Sequence, residues 1–228
     1  MSIDVQGAKA QRAKSAFRLW SKQCLQKAYV KDCRGTDVAS YRINAQVAKI
    51  LQSLQARKIL LYTPFGFESD SKKLLLRLRK QGKQIFIPYI MEGIRFKVLP
   101  LRLPLQKNKY GIFETSKSEF NLAKIDTAVI PVLGIDRSFK RIGFGKGMYD
   151  RFFSQYHKKT IPLIFVSRLA CVSEQVLTQS HDIRGHYFVS AAMCCKRTRY
   201  GHSFKSDRVY NLWRYRGCGN LSSNQKDF

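Results

Sequence analysis

Between Arg141 and Phe153 the chain reads RIGFGKGMYDRFF: three glycines alternate with Phe and Lys, and Met, Tyr, Asp and Arg follow. Glycines let a backbone approach a ligand closely and reach positive φ. A lysine inside such a loop offers a positive charge to a phosphate. The stretch fits neither of two common phosphate motifs. A P-loop would need Ser or Thr after Lys146, where Gly147 stands, and a first glycine at the place of Lys140; the dinucleotide fingerprint would need glycine where Met148 stands. A nucleotide loop here is therefore of another kind. Three further places carry groups able to do chemistry. Lys14 and Arg18 are four residues apart and share a helical face. Glu68 lies in the loop PFGFESD, and His181 and Asp182 are adjacent near the end of the apolar part of the chain. Taken singly, each has a plainer reading. Asp150 is an acid favoured by the dipole of the helix it begins, the four cations are solvated charges, Glu68 is a loop carboxylate, and His181 is an exposed imidazole.

The elements that must hold these groups follow from the hydrophobic pattern. Phe17, Trp20, Cys24, Leu25 and Ala28 recur at three- and four-residue steps, which predicts a helix over about 8–28. Val47, Ile50, Leu51 and Leu54 predict a second over 38–55. RKILLYT is a short apolar run bounded by polar residues and reads as a buried strand. SKKLLLRLRKQG reads as a helix with Ser69, Asp70 or Ser71 as its cap and Gly82 at its end. QIFIPYI and IRFKVLP read as strands about the turn MEG, and 100–123 as irregular. DTAVIPVLGID is a buried strand and loop, the glycine stretch runs into a helix through Tyr156, IPLIFVS is a strand, and HYFVS is the last strand. Helices alternating with unbroken apolar strands predict an α/β fold: a layered, largely parallel central sheet flanked by helices, Rossmann-like. Ligands in such sheets collect beyond the carboxyl ends of strands. TPFGFESD and GIDRSFKRIGFGKG both have that placement, and the second also precedes a helix, whose free N–H groups favour anions.

Composition sets the outer bounds. Hydrophobic residues make up 44% of 228, enough for a sizeable core, and the net charge of +27 implies polyanionic partners. No run of ~18 apolar residues exists, so no membrane span is predicted, and the first residues lack an apolar signal core, which gives a cytoplasmic expectation. The six cysteines include no Cys-x-x-Cys pair and read as free thiols. After Ser190 the pattern stops: residues 191–228 hold eight Lys/Arg, two Asp/Glu and three Cys with no clear period. The expected organisation is an α/β domain over 1–190 and a basic, cysteine-containing tail, loose or disordered, over 191–228.

Together the blocks resemble the 5-formyltetrahydrofolate cyclo-ligase family, also called methenyltetrahydrofolate synthetase. VIPVLGIDRSFKRIGFGKGMYDRFF is similar to the family's strand, Gly/Ala-hydrophobic-Asp turn and Arg-Leu-Gly-x-Gly-x-Gly-Tyr-Tyr-Asp. LLYTPFGFESD matches a strand followed by Glu68, Lys14 with Arg18 matches Lys-x-x-hydrophobic-Arg, and His181-Asp182 precedes the final strand. The blocks run in family order from about residue 10 to 190. One position departs: Met148 replaces the first Tyr of Tyr-Tyr-Asp and removes a ring and a hydroxyl from the folate side.

The resemblance implies ATP-driven ring closure of 5-formyltetrahydrofolate, polyglutamylated forms included, to 5,10-methenyltetrahydrofolate, with ADP and phosphate released. ATP is the co-substrate and magnesium (Mg2+) the cofactor. The resemblance places Lys146 and Arg141 at the reacting phosphate. It places Lys14, Arg18 and the loop Arg141, Ile142, Gly143, Phe144, Gly145, Lys146, Gly147, Met148 and Tyr149 around ATP. Arg18, Thr63, Glu68, Phe144 and Met148 fall to the folate, and Asp150 and Asp182 to the metal. The rival reading is a basic nucleic-acid-binding α/β protein without ligase activity. It accounts for the charge, and RVYNLWRYRG in the tail mixes aromatics with cations as single-strand binders do. It leaves the ordered blocks unexplained.

Overall fold

Ile59, Leu60 and Leu61 are all fully buried, yet they feed two different cores: Ile59 and Leu61 join one cluster and Leu60 the other. Side chains alternate across a strand, so an unbroken apolar run marks a strand covered on both faces. The computed structural model describes residues 5–32, 37–92, 95–116, 124–156, 161–198, 201–205 and 214–215. In chain order the elements are α1 (Val5–Asp32), α2 (Val38–Ser53), β1 (Lys58–Leu60), α3 (Lys72–Lys80), β2 (Gln84–Met91) and β3 (Arg95–Pro100). The short strands β4 (Gln106–Lys107) and β5 (Phe113–Glu114) follow, then β6 (Thr127–Pro131), β7 (Gly134–Ile135), β8 (Arg141–Ile142) and α4 (Met148–Gln155). The remainder is β9 (Leu163–Val166), β10 (Val172–Ser173), β11 (Tyr187–Val189), β12 (Cys194–Thr198), β13 (Gly201–Lys205) and β14 (Arg214–Tyr215).

The main sheet has the order β13-β12-β11-β9-β6-β1-β2-β3. Its five middle strands, β11, β9, β6, β1 and β2, are parallel, and the outer pairings are antiparallel. This is the layered, largely parallel α/β architecture expected. On one face α2 and α3 lay Ile43, Val47, Ile50, Leu51, Leu74, Leu75 and Leu78 against Ile59, Ile87, Val129 and Ile164. Each such side chain contributes ~1.5–3 kcal/mol. On the other face α4 packs aromatic side chains on β3, with Phe152 stacked 4.7 Å from Phe96.

A second, small sheet, β14-β10-β7-β8, carries the glycine loop. The long helix α1 seats on it: Phe17 and Leu25 bury with Leu133, Ile142, Cys171 and Leu177. Gly134 makes that approach possible, because a Cβ there would overlap the Cys171 carbonyl and crowd the Phe17 ring.

The sheet does not end where the sequence pattern ends. HYFVS forms β11, but β12 pairs antiparallel with it and β13 with β12. Met193 and Cys195 are buried in the second core cluster. The boundary expected at Ser190 therefore falls inside the sheet. The physical reason is composition: β12 is Cys-Cys-Lys-Arg-Thr, and two small thiols among cations give no apolar run to read. Residues 206–213 and 216–228, which include RVYN and Cys218, lie outside the described residues. In 100–123, read as irregular, β4 and β5 form a short antiparallel pair.

Candidate active site

Asp136, in the turn after β7, fixes the glycine loop from below. It is 1% exposed; Oδ1 accepts from the Ser138 N–H, and Oδ2 accepts from the N–H groups of Leu177 and Thr178 and from the Thr178 hydroxyl. One carboxylate thereby ties the turn between β7 and β8 to the segment after β10. Lys140 Nζ donates to the Gln179 carbonyl, and the Arg141 N–H donates to the Ile183 carbonyl at 3.0 Å. These bonds bring 179–183 beside the loop. The sequence reading gave Asp136 no role, although it stands in the quoted GID turn.

The loop itself needs its glycines. Gly145 and Gly147 have φ of 97° and 62°, and Gly147 is the N-cap of α4. A Cβ on Gly143 would overlap the Arg141 guanidinium. That side chain is buried; its Nη1 lies 3.5 Å from Asp150 Oδ2 and its guanidinium 5.0 Å from the centre of the Tyr149 ring. Its Nε is buried with no partner among the described residues.

Helix α1 supplies the opposite wall. Lys14 is 4% exposed, and its Nζ donates to Asp182 Oδ2 at 2.5 Å. The same oxygen accepts from the Gln179 N–H at 2.7 Å. Burial opposes ionisation of Asp182, but these bonds and the Lys14 charge hold its carboxyl below the usual range. One turn on, Arg18 Nε donates to the Gly143 carbonyl at 3.1 Å.

These parts enclose a cleft of about 460 Å³ lined by Lys14, Arg18, Arg141, Gly143, Gly145, Lys146, Gly147, Asp150 and Asp182. Gln11, Arg151, Ser154, Gln179 and His181, none of them given a role from sequence, line it too. Spacing could not reveal the first four, which reach the cleft only through the packing of α1, α4 and the 179–183 segment, whereas His181 already stood out beside Asp182 without a role. Lys146 is exposed at the rim. With two carboxylates against four of the cations first singled out, the cleft suits a polyanion.

The remaining predicted residues lie elsewhere. The Ile142 side chain is fully buried with Phe17 and Leu133. Met148 and Tyr149 pack toward the second core cluster, and Thr63 is buried beyond the end of β1. Glu68 and Phe144 border a separate slot of only about 10 Å³ with Phe67 and Arg168. Phe144 stacks on Phe67 with ring centres 5.6 Å apart. Glu68 Oε2 accepts from the Phe65 N–H at 3.0 Å; burial pushes its carboxyl up to about 8 against the pull of that bond and of Arg141.

Among the described residues no group of three or more His, Cys, Asp or Glu could hold a metal. Magnesium asks for less: one or two carboxylates beside substrate phosphates and water. Asp150 and Asp182 both line the cleft. Among the described residues the two hydrogen bonds to the Asp182 side chain share Oδ2, and Asp150 Oδ2 makes only the 3.5 Å contact to Arg141. Each carboxylate thus keeps an oxygen for a hard cation.

Residues 10–186 match the model of the 5-formyltetrahydrofolate cyclo-ligase family. The chain is 25% identical over 152 residues to a 5-formyltetrahydrofolate cyclo-ligase of Haemophilus influenzae, covering 64% of this chain and 81% of that one. It is 28% identical over 143 residues to one of Mycolicibacterium smegmatis, covering 57% and 71%. A 5,10-methenyltetrahydrofolate synthetase of Aquifex aeolicus has the same fold, with a TM-score of 0.65 over 87% of this chain and 99% of that one at 23% identity. One of Mycoplasma pneumoniae gives 0.57 over 78% and 98% at 21% identity. With residues 10–186 matching the family, well over half its length, the chain belongs to the 5-formyltetrahydrofolate cyclo-ligase family.

Proposed function

We propose that the protein converts 5-formyltetrahydrofolate and ATP to 5,10-methenyltetrahydrofolate, ADP and phosphate, in the cleft between α1 and the glycine loop. The observation that carries this reading is the convergence of Lys14, Arg18, Arg141 and Lys146 with two carboxylates around the N-terminus of α4. The formyl oxygen is a poor leaving group; its phosphorylation makes it a good one, and the neighbouring folate nitrogen then closes the ring. Such chemistry asks for positioning and charge neutralisation more than for acid-base groups. Gly143, Gly145 and Gly147 turn backbone toward the triphosphate, and Lys146 and Arg141 neutralise charge on the transferred phosphoryl group. Glu68, beside Phe144, would give up the proton that burial holds on it in the free chain and accept from the donors of the pterin. Asp150 and Asp182 would hold magnesium, which supplies charge neutralisation at the phosphate oxygens. The test mixes the full chain with 5-formyltetrahydrofolate, ATP and magnesium and follows the near-ultraviolet absorbance of the methenyl product. A rise that needs ATP supports the reading, and its absence overturns it.

A second role, nucleic-acid contact, has its own observation. Helix α3 exposes Lys72, Lys73, Arg77, Arg79 and Lys80 and no acid. Lys72 and Lys73 stand in its first turn, where the dipole disfavours cations. The ammonium groups of Lys72 and Lys107 sit 4.9 and 5.3 Å from the Phe113 ring centre, which joins α3 to the β4–β5 hairpin, and Lys109 lies over the exposed Tyr110. Cations interleaved with aromatics suit single strands. Binding of a fluorescent single-stranded oligonucleotide should weaken steeply with salt and on Lys72→Ala with Lys107→Ala; no binding at physiological salt removes this role.

A further inference from the structure

Arg168 follows β9 and is among the largest fully buried side chains, at 2% exposure. Its Nη1 donates to Asp32 Oδ2 and Asp37 Oδ1, both at 2.7 Å, and its Nη2 to Asp37 Oδ2 at 3.0 Å. The guanidinium lies 5.3 Å from the centre of the Tyr29 ring. Two aspartates would satisfy the charge. The fork does more: Nε donates to the Phe67 carbonyl and Nη2 to the Glu68 carbonyl, each at 3.4 Å, and Nη2 also reaches the Ser40 hydroxyl at 3.4 Å. One planar group thus links the end of α1, the start of α2, the strand end at β9 and the loop that carries Glu68.

From this geometry we infer that Arg168 is a positioning residue for folate recognition, holding the backbone of Phe67 and Glu68 so that both side chains face the slot. The inference rests on the folate role proposed for Glu68. The chemistry explains why arginine is required. The loop offers two successive carbonyls, acceptors only, from a segment with Pro64 and Gly66 that has no regular structure of its own. A rigid fork with donors on three nitrogens can hold carbonyls and carboxylates together, whereas a lysine supplies one point charge. Asp37, bound at both Nη1 and Nη2, fixes the fork, Asp32 adds charge at Nη1 alone, and the fork fixes the loop. The nucleotide cleft lies outside this arrangement, since Arg168 is absent from its lining.

The test is equilibrium binding of 5-formyltetrahydrofolate and, separately, of ATP with magnesium, to the full chain and to Arg168→Lys and Asp32→Asn, with thermal unfolding alongside. Arg168→Lys should weaken folate binding ~10-fold or more through misplacement of the loop, while ATP binding stays within about twofold. Asp32→Asn removes a charge partner without touching the carbonyls; it should lower the melting temperature and leave both affinities in place. If Arg168→Lys does not fold, Asp37→Asn, which keeps a capping oxygen for α2, should show the same folate-selective loss at smaller size. Equal losses for both ligands, no folate loss, or a folate loss as large in Asp32→Asn would each overturn the inference. Absence of folate binding by the unaltered chain would instead overturn the underlying reading of the slot.

Discussion

The cleft and the slot share one glycine loop, yet the first measures about 460 Å³ and the second about 10 Å³. Gly143 and Gly145 border the cleft, and Phe144 between them turns its ring to the slot. The cleft is held open by groups that cannot collapse: a buried Lys14–Asp182 pair, a buried Arg141 and a backbone pinned by Asp136. The slot is shut by the Phe67–Phe144 stack, a contact worth only ~0.5–1.5 kcal/mol. Charge needs a preformed site, because buried ions require fixed partners. An apolar ring face does not, and its pocket forms as rings part and a ligand takes their place. ATP is therefore expected to bind without rearrangement, and folate to open its own site.

Truncation after Ser190 should divide the two regions most sharply. It removes β12 with buried Met193 and Cys195, and the Ala191 N–H that donates to the Arg168 carbonyl at 3.4 Å. Burial of Met193 alone is worth about 1.5–3 kcal/mol; with Cys195 and the β11–β12 ladder lost as well, this should be the largest loss, read by denaturant unfolding, with folate binding failing before nucleotide binding. Next in size is Lys14→Met, which strands the Asp182 charge and should cost about 3–5 kcal/mol along with nucleotide affinity. Lys146→Ala should leave stability alone, since Lys146 is exposed, and lower kcat ~10²-fold by removing charge stabilisation. The smallest effect concerns Glu68. Its folded pKa, about 8, lies above its unfolded one. Its stabilising share is thus full below the unfolded carboxylate range and is lost as pH rises toward about 8. Thermal unfolding of the ligand-free chain should show a fall of at least ~1 kcal/mol across that window, and Glu68→Gln should abolish it.

Legibility from sequence followed the same division. The layers were readable because β1, β6 and β9 are unbroken apolar runs and α2 and α3 keep a helical period. The glycine loop was readable because positive φ and close approach leave glycine little substitute. β12 was not, since the burial at and just before it falls on Cys195 and Met193 amid cations, and Arg168 was not, since its side-chain partners lie 100 or more residues away in sequence. Lys14 looked like a solvated charge from spacing alone; only the seating of α1 through Phe17 and Gly134 buries it against Asp182.

The claim that the cleft is a preformed nucleotide site is tested most directly by calorimetric titration of ATP with magnesium into the folate-free full chain and into Asp150→Asn. Asn keeps the shape of the side chain and removes the charge a hard cation requires. Saturable binding by the unaltered chain without folate, dependent on magnesium and lost in Asp150→Asn, is expected. Equal binding by the two proteins, or binding that appears only once folate is present, would contradict that claim.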